Sequence, residues 1–399
     1  MGAVQHLSID IETYSDVDIG KAGLYKYAQS PAFRVLLFAY SLNGTPVQVI
    51  DLTKTGGRVP DWIFAALTDD SIIKHAFNAA FEWYCLSRHF GFTLPADQWR
   101  CTRLHGMYCG YPASLDAAGR ALGLPEDKRK LATGKALIRY FCVPCAPTKN
   151  NGGRTRNLPQ HDSAKWQLFK EYCAQDVVTE MAIERRLSAF PVPDMVQKQW
   201  VTDLTINARG VCVDTALVTA AQELDTQTRT EYIDEAAKLS GLDNPNSVSQ
   251  LTSWLQAETG EEITDLRKDT VTSLLGKELS SDKAHRMLQI RRELGKTSNK
   301  KYDALSAATC DDGRVRGLLR FYGANRTGRW AGRIVQPQNL PRTYISGDLL
   351  PFARDLVKAR NAEALRWTFG SVPDTLSQLI RTAFVASPGH LLLLSLIDI

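Results

Sequence analysis

The sequence predicts a mixed-sheet α/β domain at the N-terminal end, followed by a mainly helical region. Three observations carry this. Residues 4–12 alternate, with Leu7, Ile9 and Ile11 on one side and Ser8, Asp10 and Glu12 on the other, the pattern of a strand with one buried face. Further short strand patterns precede long helical ones within the first 190 residues, an order that packs helices against a sheet. Beyond residue 195 the apolar spacing turns mainly helical up to residue 305.

Taken in order, residues 35–40 and 47–51 read as two strands joined through a turn at Asn43-Gly44, a dipeptide that accepts the left-handed backbone of a tight hairpin. Residues 72–77 give a fourth strand, followed by a helix over 79–90. A loop rich in Gly, Pro and Asn covers 144–160. Asp162 then caps a long helix running to about residue 189. Pro191-Val-Pro193 reads as a linker, and 195–305 as helices interrupted by an extended piece at 210–214. There, Met287, Ile290 and Leu294 keep helical spacing, with Arg292, Lys296 and Lys300 four apart on another face. Residues 323–341 read as loop or strand, and no internal repeat is present.

Composition narrows the class. The 399 residues are 44% hydrophobic and 23% charged, enough for two or three domains and unlike a disordered, collagenous or disulfide-stapled chain. No apolar run reaches the roughly 18–20 residues that span a bilayer. Asp10, Glu12, Asp16 and Asp18 come too early for a secretion signal, so a soluble cytoplasmic protein with no membrane partner is expected. The eight cysteines are scattered. Cys142-Val-Pro-Cys145 lacks the second ligand pair of a zinc site, which leaves free thiols. The net charge of +5 is uneven: residues 283–333 hold thirteen Lys or Arg against four acids, so the rest of the chain is acidic. Such a block is either a solvated helix face or the footprint of a polyanion partner. Its run into Gly-rich, non-helical sequence favours nucleic acid.

Chemistry gathers in the first domain. Asp10 and Glu12, two apart on a strand, share a face; Glu82 follows Asn78 at a strand-to-helix junction; Tyr172 and Asp176, four apart on a helix, share another face. Clustered carboxylates repel unless divalent cations neutralise them, and hard oxygen ligands suit magnesium or manganese.

Asp10-Ile-Glu-Thr13, Asn78-Ala-Ala-Phe-Glu82 and Tyr172-Cys-Ala-Gln-Asp176 together resemble the three motifs of the 3′–5′ exonuclease domain of DNA polymerase I-like (family A) enzymes. The resemblance implies a ribonuclease H-like fold. It also implies two Mg²⁺ or Mn²⁺ ions held by Asp10, Glu12, Glu82 and Asp176, with Tyr172 positioning the attacking water. The family's second motif usually ends in aspartate; Glu82 is one methylene longer. Further along, Gly323-Ala-Asn-Arg-Thr-Gly-Arg-Trp330 and Gln336-Pro-Gln-Asn-Leu-Pro341 are similar to the family's duplex-gripping segment. That implies DNA contacts for Arg326, Arg329, Arg333, Gln338 and Asn339. Gly295-Lys-Thr-Ser-Asn-Lys-Lys301 resembles the family's thumb and adds Lys296, Lys300 and Lys301.

On the resemblance, residues 1–190 are the exonuclease domain, 191–320 the start of the palm and a helical thumb, and 321–399 an incomplete palm. Residues 379–390 approach the first catalytic polymerase motif, yet Leu396 stands where the family carries its metal-binding aspartate, and Asp398 is displaced by two. The expectation is therefore a phage-type, DNA-binding monomer truncated before its polymerase site, which trims single-stranded 3′ ends and grips primer–template duplex. A catalytically silent DNA-binding remnant and a ribonuclease D-like exoribonuclease are the alternatives.

Overall fold

The computed structural model describes residues 5–131, 133–324 and 327–392. It divides into two compact units, one formed by 1–210 with 316–336 and the other by 211–315 with 337–399.

The first unit is built on a five-stranded mixed sheet: β1 (Gln5–Tyr14), β2 (Arg34–Leu42), β3 (Gln48–Asp51), β4 (Ile72–Ala76) and β5 (Trp99–Cys101). The spatial order is β3-β2-β1-β4-β5. β1 and β2 pair antiparallel, as do β2 and β3, whereas β4 runs parallel to both β1 and β5. The central strand is the one with the alternating sequence. Its apolar side is buried, as expected, but Ser8, Glu12 and Thr13 are buried too. The expected half-exposed strand is therefore covered on both faces. The cover on the polar face is the Ser163–Leu187 helix, whose Phe169, Tyr172, Cys173 and Val177 share a core with Leu37 and Ala39 of β2. A strand can carry acids into such a place only if function or a counter-charge maintains them.

Local signals act where expected. Asn43 and Gly44 both take positive φ, 52° and 75°, at the β2–β3 turn, which the right-handed twist of a hairpin requires. Asp162 caps the long helix by accepting the Lys165 amide at 2.9 Å. The Ala79–Phe90 helix matches its expected span and ends on Gly91 in the left-handed region. The three-residue β5 and the short helices such as Thr102–Tyr108 and Gly134–Phe141 are too brief for periodicity to reveal them.

The first unit also holds the Asp194–Arg209 helix and a hairpin of Leu319–Ala324 and Arg329–Gly332. Asn207 joins them: its side-chain amide donates to the Leu319 carbonyl at 3.1 Å, and its oxygen accepts the Leu319 amide at 3.0 Å. Trp330 Nε1 donates to Asp203 at 2.8 Å, and its ring meets Phe321 edge-on at 4.8 Å. Gly323 and Gly328 have structural work here: a Cβ on either would fall 2.4 Å from Ala331 or 2.7 Å from the Tyr322 ring.

The second unit is helical apart from a small antiparallel sheet of Val211–Val213 between Arg314–Val315 and Phe384–Val385. Its core gathers Leu251, Leu255, Met287, Leu288 and Ile290. One expectation needs correcting. The Asp282–Leu294 helix stops before Lys296, and Lys300 opens the next helix, Lys300–Ala308. Arg292, Lys296 and Lys300 therefore do not share a helix face; Gly295 ends the helix, and the last two lysines follow a turn. Among the described residues no helix is long and apolar enough to cross a membrane. The leucine-rich segment 393–399, with Leu396 and Asp398, lies outside the described residues, as does Arg326.

Replacing Asn207 by Ala leaves both Leu319 backbone groups without their partners in a buried place, a loss of about 2–3 kcal/mol. Urea denaturation should show that loss, whereas Thr205→Ala, on an exposed position of the same helix, should change stability by no more than about 0.5 kcal/mol.

Candidate active site

The path of the chain explains why acids from four segments meet. β4 pairs with β1 only as far as Ser8 opposite His75. Beyond that point β1 continues alone on this side, while β4 ends at Ala76 and the chain turns into the Ala79–Phe90 helix. Asp10, two residues past the last pair, thus faces the opening where Glu82 sits in that helix's first turn. A register shift between Glu12 and Thr13 marks a bulge next to the second carboxylate, a device that re-aims side chains. The long helix supplies Tyr172 and Asp176 one turn apart.

Asp10, Glu82, Tyr172 and Asp176 line one open cavity of about 700 Å³ together with Lys130, Lys135 and Asn78. Glu12 lies behind Asp10: carboxylate oxygens of both, and the Cys173 sulfur, fall within 4.8 Å of one another. Cys173 Sγ is 3.5 Å from Asp10 Oδ2, and Cys142 Sγ is 3.9 Å from Glu12 Oε2. Asp176 takes an ion pair from Lys130, and Tyr172 lines the cavity beside it. Glu12, Glu82 and Asp176 are buried, and Glu82 Oε2 and Asp176 Oδ1 have no hydrogen-bond partner.

Burial, reinforced by mutual repulsion, pushes Asp10, Glu12 and Glu82 well above the usual carboxylate range. Burial raises Asp176 too, against the pull of Lys130 and Tyr172. Burial and the adjacent acids also raise Tyr172, so its phenol keeps its proton and serves as a donor. Orphaned buried carboxylate oxygens, facing a cavity with like charges on several sides, are the chemistry of a divalent-cation site: the donors are hard, and a cation would supply the missing partner. The residues present fit such ions. Of the positive charge required, Lys130 supplies part by pairing with Asp176, and its ammonium also lies 4.6 Å over the Tyr172 ring.

Sequence patterns single out all five of these residues, and the structure brings them together. They miss Lys130, Cys173, Cys142 and Gly134. The last is positional: a Cβ there would lie 2.0 Å from Tyr172 Cε2, so only glycine leaves room for the phenol. Cys142 and Cys173 fill space behind the acids, against Glu12 and Asp10 respectively, and form no disulfide with each other.

The expected DNA contacts fall on both units. Lys296, Lys300, Lys301, Gln338 and Asn339 belong to the second, Arg329 and Arg333 to the first. Lys300, Arg329, Arg333, Gln338 and Asn339 are exposed. Lys296 is held by Glu293 at 3.2 Å and Asp374 at 2.7 Å, beside a groove of about 1180 Å³ that also carries Arg267, Lys268, Arg291, Arg292 and Arg342. Part of the basic block is taken up locally: Arg286 is paired with Glu235, and Arg316 donates to the Ala208 carbonyl.

Set against known proteins, the fold is that of a DNA polymerase I-type domain. The polymerase domain of Pol1 from M. smegmatis, solved with DNA primer-template and dNTP, matches with a TM-score of 0.51 at 17% identity, covering 91% of this chain and 55% of that one. The sequence is closer to a DNA polymerase of Bacillus phage SP02, 50% identical over 384 residues, which are 96% of this chain and 58% of the phage protein. The chain is a relative of that phage polymerase over nearly its whole length, and it spans somewhat over half of its relative. Both likenesses agree with the resemblance to family A polymerases. No protein-family model matches the chain.

Two outcomes follow from the geometry. The raised carboxyls bind protons more tightly in the folded than in the unfolded state, so their contribution to stability is present at low pH and is lost as pH climbs above about 4. In EDTA the thermal midpoint should therefore decline toward neutral pH, and millimolar Mg²⁺ or Mn²⁺ should remove much of the decline; a flat profile in EDTA would show that the acids are not clustered. Gly134→Ala drives a methyl into the Tyr172 ring and should cost about 1–3 kcal/mol in urea denaturation.

Proposed function

We propose that the first unit is a ribonuclease H-like 3′–5′ exonuclease domain of a family A DNA polymerase, hydrolysing single-stranded DNA 3′ ends to mononucleotides with two magnesium or manganese ions. The observation that carries this is the convergence of Asp10, Glu82 and Asp176 with Tyr172 at one cavity, with Glu12 directly behind Asp10. The sheet order, with an antiparallel β1–β2–β3 edge and parallel β4 and β5, supports the ribonuclease H-like assignment, and the phage relative supports DNA as substrate.

Paired divalent ions, when bound, would activate water and stabilise the leaving oxygen of a phosphodiester. The chain's own groups do the rest. Asp10, Glu12, Glu82 and Asp176 supply the oxygens that hold the ions, and Glu82, on a helix, reaches the site with one methylene more than an aspartate. Tyr172, kept protonated, donates from its hydroxyl and orients a water at the cavity. Lys130 compensates Asp176 and lines the same cavity. Lys300, Arg329, Arg333, Gln338 and Asn339, all exposed, would carry DNA contacts outside the cavity, with Lys301 and Arg326 on the same segments.

The full chain with magnesium should release dNMP from labelled single-stranded DNA. Asp10→Ala and Asp176→Ala should each lower the rate by at least about 10³-fold, and Tyr172→Phe by about 10²-fold. Equal rates in the aspartate variants would overturn the roles; cleavage of RNA in preference to DNA would make it an exoribonuclease; DNA binding without cleavage would leave a silent remnant. DNA affinity should fall steeply as salt rises, and Lys300→Ala with Arg329→Ala should flatten that slope.

A further inference from the structure

One helical turn beyond Asp176, a second group of ligating atoms lies in the first unit and takes no part in the proposed hydrolysis. His75 of β4 and Glu180 and Glu184 of the long helix each offer one atom, and the three atoms fall within 4.8 Å of one another. His75 is 8% exposed and Glu180 2%. His75 Nδ1 and Glu180 Oε2 have no hydrogen-bond partner. Two buried polar atoms left unpaired in one place are costly unless something satisfies them.

The other atom of each side chain is already held. His75 Nε2 lies 2.9 Å from His6 Nδ1, Glu180 Oε1 accepts from the Thr102 hydroxyl, and Glu184 Oε2 lies 2.9 Å from His105 Nδ1. His105 is itself fixed through Nε2, 2.8 Å from the Phe190 carbonyl. With Nε2 of His75 donating to His6, Nδ1 presents its bare lone pair. Each side chain is thus anchored on one side and leaves an atom over, the arrangement in which outer partners orient metal ligands. Burial holds His75 down at about 4, neutral and able to ligate. Burial alone would raise Glu184, but the bond to His105 keeps it low and ionised. Glu184 is 30% exposed in its side chain, which gives a path from solvent.

We propose that His75, Glu180 and Glu184 bind one first-row divalent cation of the zinc class, at a site separate from the acidic pocket. Bonds of about 2.1 Å in a tetrahedral set place donors about 3.4 Å apart, so closure from the observed spacing needs about 1 Å of side-chain movement. One imidazole with two carboxylates is a mixed set that suits zinc, whereas magnesium prefers an all-oxygen site. The ion ties β4 to the long helix that carries Tyr172 and Asp176, and so fixes the scaffold of the first pocket from behind. It need not enter the hydrolysis.

The test is zinc binding to the full chain by equilibrium dialysis and elemental analysis, with excess magnesium present to fill the acidic pocket. The parent and an Asp10→Ala/Asp176→Ala double variant should each hold one zinc. His75→Gln and Glu180→Gln should weaken binding at least about 10-fold. X-ray absorption on the zinc-loaded parent should show an imidazole in the first shell, a readout that does not depend on any variant folding. No zinc on the parent, its loss in the double variant, unchanged affinity in folded His75→Gln and Glu180→Gln, or an all-oxygen shell would each overturn the site. None of these results bears on dNMP release, which tests the first pocket alone.

Discussion

Carboxylates taken out of water side by side repel one another and are poorly solvated, and the first unit is organised around that conflict. Asp10 and Glu12 occupy the central strand of the sheet, beneath a 25-residue helix that contributes a further acid to the same place. A core built only for stability would hold apolar side chains there. Instead the protein offsets the charge with one lysine, one phenol and two weakly polar thiols, and leaves carboxylate oxygens unpaired. On the proposed function, divalent cations would resolve that conflict, and the fold acts as a frame that holds the acids together.

The frame is stiff where it must be. The long helix lies along the polar face of the sheet with Phe169, Cys173 and Val177 in the core, so Tyr172 and Asp176 have little freedom to drift. Tyr172 depends on the missing side chain of Gly134. The same helix continues through Glu180 and Glu184, where acids again meet β4. Two sets of ligating groups thus lie along one helix, about 6 Å apart by the rise of a single turn.

Positive charge follows a different logic. A run of basic residues in a sequence suggests a single surface, yet here it is divided between two units and partly absorbed by local ion pairs and carbonyls. The exposed remainder is what can meet a phosphate backbone, and surface cations of that sort supply affinity more than selectivity. The glycines of the hairpin are explained by packing against Ala331 and Tyr322, and Arg329 is displayed to solvent.

From sequence alone came the strands β1 to β4, the helix after β4, the capped long helix, and the five side chains at 10, 12, 82, 172 and 176. Period-2 and period-3.6 spacing already dictates which residues share a face, and those spacings are local. What the sequence could not hold is anything set by residues far apart in the chain. Lys130 against Asp176, Gly134 beneath Tyr172, the burial of both faces of β1, and the meeting of His75 with Glu180 and Glu184 all depend on which segments the fold brings into contact. Lys296 shows the same division: its spacing suggests a helix face, but Gly295 ends the helix before it, and Asp374, 78 residues away, takes its charge. Periodicity reports the direction of a side chain relative to its neighbours in the chain; only tertiary packing decides what waits on that side.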